Sequence, residues 1–176
     1  VVVSQLHRSP GVFFGQSTHP NGTKIYSARV IPFKGAWMEF ATDINNVMYA
    51  YIDRKKKFPV TTLLRALGYS SDEDLLNLFD LTMEISIQRM SEDHLGRRIA
   101  ADAVDMNTGE IVAQRDLVLD EELVARLQAS SVETLRVYKY ENQNDEPIIA
   151  KTLAKDTART REDALETIYR QLRSSD

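Results

Sequence analysis

The sequence predicts an α+β fold in which antiparallel strands are combined with several short helices. Three observations support this prediction. In the first third of the chain, turn-forming residues separate segments rich in Val, Ile, Tyr and Phe, which is typical of an antiparallel meander. Leucines recur with helical spacing in later segments. The sequence has no internal repeat and no low-complexity linker, so we expect one domain over residues 1–176, with a subdomain split near residue 80 left open.

The front half of the chain is predicted to contain four strands. They cover residues 1–6, 24–32, 36–41 and 47–52. After the first of them, Pro10 and Gly11 predict a tight turn, because proline presets φ and glycine tolerates positive φ. Such a turn presents Arg8 on one side and Phe13 and Phe14 on the other. We expect the two phenylalanines to lie in the core.

Two helices are predicted after Pro59. The first covers residues 61–67, with three leucines on one side and Gly68 at the position of a left-handed C-cap. The second begins at Ser71, where an N-cap serine precedes three acidic residues, 72–74, beside the positive end of the helix. These acids therefore indicate helix capping rather than catalysis.

Strands and helices also share the rest of the chain. Strands are predicted over residues 82–88, 110–119 and 134–140, and helices over residues 120–127 and from residue 160 onward. A polar loop is expected at residues 141–147.

The composition indicates an ordinary globular protein. The hydrophobic share is 43% and the charged share 27%, and no apolar run approaches the ~20 residues of a membrane span. Because the chain has no cysteine, we exclude disulfides and thiol catalysis and expect a reducing, cytoplasmic setting. The start at Val1 without a signal peptide favours a piece of a longer chain. The net charge of −4 means that any contact with DNA must be local.

The sequence lacks the residue patterns of a self-contained active site. Its three histidines, His7, His19 and His94, lie far apart, and it contains neither a Walker loop nor a G-x-G-x-x-G motif. The acidic runs at 72–74 and 120–122 fall at predicted helix starts, where capping accounts for them. We expect no catalytic residue, metal site or cofactor in this chain.

A set of cationic and aromatic residues predicts contact with nucleic acid. Arg8, Trp37 and the run 53–57 combine cations for phosphates with a flat ring on which a base can stack. Such stacking is worth ~1–3 kcal/mol per base. Single-stranded DNA is the natural ligand for this set.

Each member of this set also has a structural interpretation. A lone tryptophan such as Trp37 is most often packed in a core. The charged run 54–57 is typical of a solvated turn before Pro59. Asp53 is suited to an ion pair with Arg54 or Arg29.

Three segments carry long and unusual motifs. Residues 4–14 read S-Q-L-H-R-S-P-G-V-F-F, and residues 35–37 form a G-x-W motif. Residues 52–67 fit the pattern I-D-R-x-x-K-x-P-x-T-x-L-L-R-A-L. In this order they resemble the lobe of the bacterial RNA polymerase beta subunit. The resemblance is close over roughly the first eighty residues and weakens after Phe79.

This resemblance implies a role for each residue of the set. Trp37, at the G-x-W position, would stack on a non-template base near the start of downstream DNA. Arg8 and Asp53 would help to line the same pocket. Arg54 and Lys55 would contact phosphates in the downstream channel.

The resemblance also implies the setting of the chain. It implies a lobe that lines the downstream DNA channel of a DNA-directed RNA polymerase, a nucleotidyltransferase whose catalytic aspartates and Mg²⁺ lie on another subunit. The implied partners are the beta prime, alpha, omega and sigma subunits, downstream DNA and the non-template strand, with no membrane. The implied location is cytoplasmic and nucleoid-associated. Val3 and Gln5 match the edge of the family's rifamycin-inhibitor pocket.

Two functions of other classes remain open. A stand-alone module that binds single-stranded nucleic acid could use the same residues, and would bind short strands with a steep salt dependence. A protein-interaction domain without DNA contact would not depend on Trp37 for start-site choice or pausing.

Overall fold

The computed structural model describes residues 8–140 and 146–173. Val3 and Gln5 lie outside these residues. The chain divides into two compact units. The first, which we call the sheet unit, contains the described residues up to Leu75 and those from Pro147 onward. The other, here the inserted unit, runs from Leu76 to Glu146.

The sheet unit is built on five antiparallel strands joined in sequence order, β1-β2-β3-β4-β5. They are β1 (Gly11–Thr18), β2 (Lys24–Ile31), β3 (Met38–Thr42), β4 (Met48–Ile52) and β5 (Phe58–Pro59). Each strand pairs with its neighbour in the chain, so short turns suffice to connect them. The predicted meander and the α+β class are confirmed.

Strand β1 corrects the prediction for the first phenylalanines. Phe13 is 49% exposed and Phe14 83% exposed, so neither lies in the core. The reason is that, among the described residues, β1 lies at the edge of the sheet with β2 as its partner strand, and all eight of its residues are exposed. The first predicted strand, residues 1–6, falls outside the described residues.

Helices complete the sheet unit. They are α1 (Val60–Ala66), α2 (Asp72–Leu78), within which the division between the units falls, α4 (Ile148–Lys155) and α5 (Arg161–Arg173). The predicted C-cap at Gly68 is confirmed, because the amides of Gly68 and Tyr69 donate to the carbonyls of Arg65 and Leu64 in a Schellman pattern. Helix α4 was not predicted. In the part of the chain that the structure describes, no helix is both long and apolar enough to cross a membrane.

Arg65 joins three parts of the sheet unit from a fully buried position on α1. Its Nε donates to Asp156 Oδ2 at 3.1 Å, its Nη1 donates to the Ser70 carbonyl at 2.6 Å, and its Nη2 donates to the carboxylate of Asp72. Thr62 Oγ1 donates to the other oxygen of Asp156 at 2.8 Å. The start of α2 and the end of α4 are therefore held to α1 by one guanidinium.

The capping predictions are confirmed at two helix starts. Ser71 Oγ accepts from the Asp74 amide at 3.0 Å while Asp74 accepts from the Ser71 amide at 3.3 Å, which is a capping box. Asp120 caps the next helix through a 2.8 Å bond from the Leu123 amide. Asp72 has the further role, which was not predicted, of pairing with Arg65.

The described residues of the inserted unit include two small antiparallel strand pairs and a helix. These elements are β6 (Thr82–Ser86) paired with β9 (Thr134–Tyr138), β7 (Ala103–Val104) paired with β8 (Ile111–Ala113), and α3 (Glu121–Gln128). Two 3₁₀ turns follow β6, at Ile87–Arg89 and Glu92–His94. The core is formed by buried aliphatic side chains, among them Ile87, Ile99, Leu127 and Val137.

Asp105 organises the turn between β7 and β8. Its carboxylate accepts from Ser131 Oγ at 2.5 Å and from the Asn107 amide at 2.8 Å, and these bonds hold the pKa of Asp105 below its usual 3.8. Because the folded pKa is depressed, this stabilisation is complete above pH 3.8 and is lost as the pH falls through the folded pKa.

We therefore expect Ser131→Ala to lower stability at neutral pH, and expect the difference from the wild type to disappear in strong acid. Denaturant unfolding at a series of pH values measures this difference. Thr134→Ala, at an exposed position of β9, is the control and should show no such pH dependence. A Ser131→Ala effect that persisted unchanged below the folded pKa would contradict the role of Asp105.

Candidate nucleic-acid interface

Trp37 lies at the centre of a cluster of three arginines. The Cζ atoms of Arg8, Arg29 and Arg54 each lie 5.5 Å from the centroid of the indole ring. All three distances are within the ~6 Å range of cation–π attraction. Trp37 is half-buried, so part of the ring remains accessible to solvent. The cluster combines a flat aromatic surface with three permanent positive charges.

The strand order brings these residues together. Trp37 immediately precedes β3, Arg29 lies on the neighbouring β2, and Arg54 follows β4 on the other side of β3. The Asp53 amide donates to the Trp37 carbonyl at 2.9 Å, which fixes the turn after β4 to the backbone of the tryptophan. Residues far apart in the chain thus converge at one end of three adjacent strands.

The turn after β4 has an unusual backbone. Asp53 and Arg54 have φ values of 54° and 56°, and the Lys55 amide donates to the Ile52 carbonyl at 3.1 Å. Positive φ at both central residues is the signature of a type I′ turn, which glycine and asparagine prefer. An arginine in this conformation costs about 1–2 kcal/mol. The strain is offset by the tertiary structure, and it places Arg54 beside the ring.

Arg29 is held by a partner on the opposite strand. Its Nε lies 3.1 Å from Glu39 Oε1, and the two residues face each other in the register of β2 and β3. Their side chains are 38% and 32% exposed. The sequence alone suggests Arg29 only as a partner of Asp53, because it does not show the register that places Glu39 opposite Arg29. A candidate member of the site was therefore missed.

We expect Glu39→Gln to change the environment of Trp37 more than the stability of the fold. A half-exposed ion pair contributes at most about 1 kcal/mol, whereas the freed guanidinium can leave the ring. Trp37 is the single tryptophan of the chain, so its emission spectrum reports on this position alone. The control is Glu166→Gln, which removes an exposed partner of Arg170 on α5. An unchanged Trp37 spectrum in Glu39→Gln would show that Glu39 does not position Arg29.

The lysines after Arg54 are partly engaged within the protein. Lys55 Nζ donates to the Leu172 carbonyl at 2.8 Å, where it also complements the negative end of α5. Lys57 Nζ lies 4.3 Å from the centroid of Tyr49. An ammonium has three donors and can contact more than one acceptor at a time. The predicted role of Lys55 at a phosphate stays a prediction.

A groove of about 440 Å³ opens along β1 and β2. It is lined by Arg8, Ser9, Phe13, Phe14, Gly15, Ser27, Arg29 and Ile31. Two of the three arginines around Trp37 therefore also line this groove. Gly15 lies opposite Ser27, and a Cβ at this position would lie 2.9 Å from Ser27 Oγ, so a larger residue would require the serine side chain to rotate. The groove offers apolar and aromatic surface flanked by two cations.

Charge is distributed unevenly between the two units. Residues 1–75 and 147–176 carry 15 Lys and Arg against 11 Asp and Glu, a formal charge of +4. Residues 76–146 carry 7 against 15, a formal charge of −8. The overall value of −4 therefore conceals a basic unit, and this is the unit that holds the Trp37 cluster. Among the described residues, no group of three or more His, Asp and Glu side chains is arranged to hold a metal ion.

Comparison with known proteins identifies the family. The model for RNA polymerase Rpb2, domain 2, matches residues 8–98, about half of the chain. The chain belongs to this RNA polymerase family. Beta subunits of DNA-directed RNA polymerase from Flavobacterium psychrophilum, Flavobacterium johnsoniae and Bacteroides thetaiotaomicron are each 53% identical to it over 194 aligned positions. These alignments cover 100% of the chain and 15% of each relative, so the chain spans about a seventh of their length.

The similarity extends further than the sequence motifs indicated. The motifs fit closely only to about residue 80, whereas the relatives align over the whole chain, including the inserted unit. The resemblance to the bacterial RNA polymerase beta subunit is confirmed. Within this Rpb2 domain, the structure brings Arg8, Trp37 and Arg54 together and ties Asp53 to them through its backbone.

Proposed function

We propose that the chain forms the lobe of a bacterial RNA polymerase beta subunit, where it lines the downstream DNA channel and contacts the separated non-template strand. The observation that supports this most strongly is the indole ring of Trp37 with three guanidinium groups at 5.5 Å. The positive charge of the sheet unit supports the same assignment, since a polyanion is attracted to it over a long range.

The cluster has the chemistry that an unpaired nucleotide requires. A base that stacks on an aromatic ring gains ~1–3 kcal/mol, while an exposed cation–π contact is worth ~0.5–1 kcal/mol. A base can therefore displace an arginine from the face of Trp37 at a net gain. The displaced guanidinium is then available for a bidentate contact with the adjacent phosphate. Asp53, which repels phosphate, would accept from an amino group on a base edge.

The relatives, which are named as beta subunits of DNA-directed RNA polymerase, support a wider role. We propose that this chain supports nucleotidyl transfer by holding DNA, while Mg²⁺ and the catalytic carboxylates lie on another subunit. Its partners would be the beta prime, alpha, omega and sigma subunits, in the cytoplasm and at the nucleoid. The proposed rifamycin-pocket edge, Val3 and Gln5, lies outside the described residues.

Permanganate footprinting of open complexes tests the stacking role. Thymine is placed at each non-template position in turn around the start of downstream DNA, in polymerase that carries Trp37→Ala. We expect one thymine, protected in the wild type, to become reactive, because the loss of ~1–3 kcal/mol of stacking frees it for most of the time. Trp37→Phe should retain partial protection.

The matched control is Phe33→Ala, which removes an aromatic ring that is 91% exposed in the same unit. It should leave the footprint unchanged. If Trp37→Ala left every non-template thymine as protected as in the wild type, the contact with the non-template strand would be rejected. The protein-interaction function would then be favoured.

The stand-alone binder is the second candidate, and the +4 charge of the sheet unit favours it. Quenching of Trp37 emission by a short thymidine oligonucleotide separates the two functions. Tight binding by the 176-residue chain alone would favour the stand-alone module. Weak binding would favour a lobe that needs the rest of the polymerase to form its channel.

A further inference from the structure

The inserted unit carries a groove that the proposed DNA contact does not use. It has a volume of about 340 Å³ and lies between α3 and the two 3₁₀ turns after β6. Its lining residues are Met90, Ser91, Glu92, Leu95, Glu121, Val124, Ala125 and Gln128. We propose that this groove is a docking site for a basic amphipathic helix of a partner protein.

The floor of the groove is apolar. Met90 and Val124 pack against the core of the inserted unit from below and are partly exposed above. Leu95 and Ala125 extend this surface. Covering such partly exposed side chains removes apolar surface from water, which favours binding. The floor therefore provides affinity for aliphatic side chains.

The shape of the groove suits a helix. Glu121, Val124, Ala125 and Gln128 lie at positions i, i+3, i+4 and i+7 of α3, so they form one continuous face of that helix. This face runs about 10–12 Å at 1.5 Å per residue. A partner helix laid along it would place its own i, i+3/i+4 and i+7 side chains against the floor. The lining residues belong to α3 and to the segment of the two 3₁₀ turns, and none of them lies on a strand, so an extended peptide would find no strand among them to pair with.

The rim of the groove selects for positive charge. Glu92 and Glu121 line it, and neither Lys nor Arg is among the lining residues. Two arginines, Arg89 and Arg126, are close in sequence to lining residues, but neither lines the groove. The Nη2 of Arg126 donates instead to the Val112 carbonyl at 3.1 Å. The formal charge of −8 on the inserted unit adds a long-range field of the same sign. A helix with Lys or Arg beside its apolar stripe is complementary to both features.

A labelled model peptide tests the proposal. The probe is a fluorescein-labelled amphipathic helix of Leu and Lys, roughly 18 residues long so that it exceeds the ~12–15 residues below which helices are marginal. Fluorescence anisotropy measures its binding to the 176-residue chain. Ala125→Arg places a bulky cation on the exposed face of α3, and we expect it to weaken binding about ten-fold or more. Gln114→Arg makes the same charge change at an exposed site outside the groove, and should change affinity by less than about two-fold.

Two further measurements separate the alternatives. A peptide of the same composition, scrambled so that it has no apolar stripe, should bind at least about ten-fold more weakly. Glu92→Gln with Glu121→Gln should reduce the salt dependence of binding, whereas Glu110→Gln should not. If the scrambled peptide bound as tightly as the amphipathic one, or if Gln114→Arg weakened binding as much as Ala125→Arg, the proposal would be overturned in favour of a general attraction to an acidic surface. Self-association of the chain that Ala125→Arg abolishes would overturn it in favour of a second copy as the occupant.

Discussion

Arg65→Met is expected to lower the free energy of unfolding of the sheet unit by about 3–5 kcal/mol, because it leaves a buried carboxylate without its counter-charge. The carboxylate is that of Asp156, which is 2% exposed and lies 3.1 Å from the guanidinium. Methionine fills part of the space of arginine but supplies no donor. The carbonyls of Ser70 and Arg159, which accept from Arg65 Nη1, lose their partner as well. Denaturant unfolding monitored by Trp37 emission and by circular dichroism measures the change.

The control for this prediction is an exposed ion pair of the same unit. Arg170 pairs with Glu166 on α5, and their side chains are 72% and 62% exposed. Arg170→Met should cost no more than about 1 kcal/mol. A second variant, Arg65→Met with Asp156→Leu, removes both buried charges and should recover much of the loss. If Arg65→Met were as mild as Arg170→Met, the buried network would not stabilise the fold.

Helix α1 shows why this network was not predicted. Helical spacing places the leucines of this segment, Leu63, Leu64 and Leu67, on one side of the helix. The buried residues of α1 are different ones, namely Val60, Thr61, Thr62 and Arg65. Leu67 is 69% exposed. Periodicity favours the most apolar face, but the buried face of α1 is the one that carries Thr62 and Arg65, both of which bond to Asp156. Those partners, near residues 72 and 156, are set by long-range packing that the sequence does not display.

Local chemistry was the predictable part of the fold. The caps at Gly68, Ser71 and Asp120 involve residues close in the chain, and each was correctly placed. Strand β1 was missed, because Gly15 and the polar residues after it weaken the strand pattern, and an edge strand exposed on every residue shows no alternation.

The candidate site was predicted in part for a related reason. Arg8, Trp37 and Arg54 stand out as cations and a lone ring, whatever their environment. Arg29 and Glu39 became part of the cluster only through the pairing of β2 with β3, in which the two face each other. A single-residue slip of that register would have placed the two side chains on opposite faces of the sheet. The motifs therefore include most of the residues that we propose contact nucleic acid, but not Glu39, which holds one of the arginines.

Removing the three arginines around Trp37 is expected to abolish most of the single-strand affinity of the sheet unit. If each guanidinium contacts one phosphate, Arg8→Gln/Arg29→Gln/Arg54→Gln removes three phosphate contacts. For single strands, the slope of log affinity against log salt concentration is about −0.7 for each contact. The slope should therefore become shallower by about 2. Anisotropy of a labelled thymidine oligonucleotide, titrated with the 176-residue chain at several salt concentrations, measures both the affinity and the slope.

The matched control removes three other cations from the same unit. Lys24, Lys34 and Lys155 are exposed and lie outside the cluster, so Lys24→Gln/Lys34→Gln/Lys155→Gln makes an equal change in net charge. If the slope depended only on the net charge of the unit, both triple variants would shift it equally and the cluster would have no special role. A change confined to the arginine variant shows that the phosphates lie beside Trp37.

Because glutamine cannot form the cation–π contact, Trp37 should also stack more freely in that variant, so its emission should still be quenched by bound bases at high oligonucleotide concentration. If a nucleotide stacks on Trp37 while the arginines bind its phosphates, the arginine variant should lose the phosphate contacts and retain the stacking.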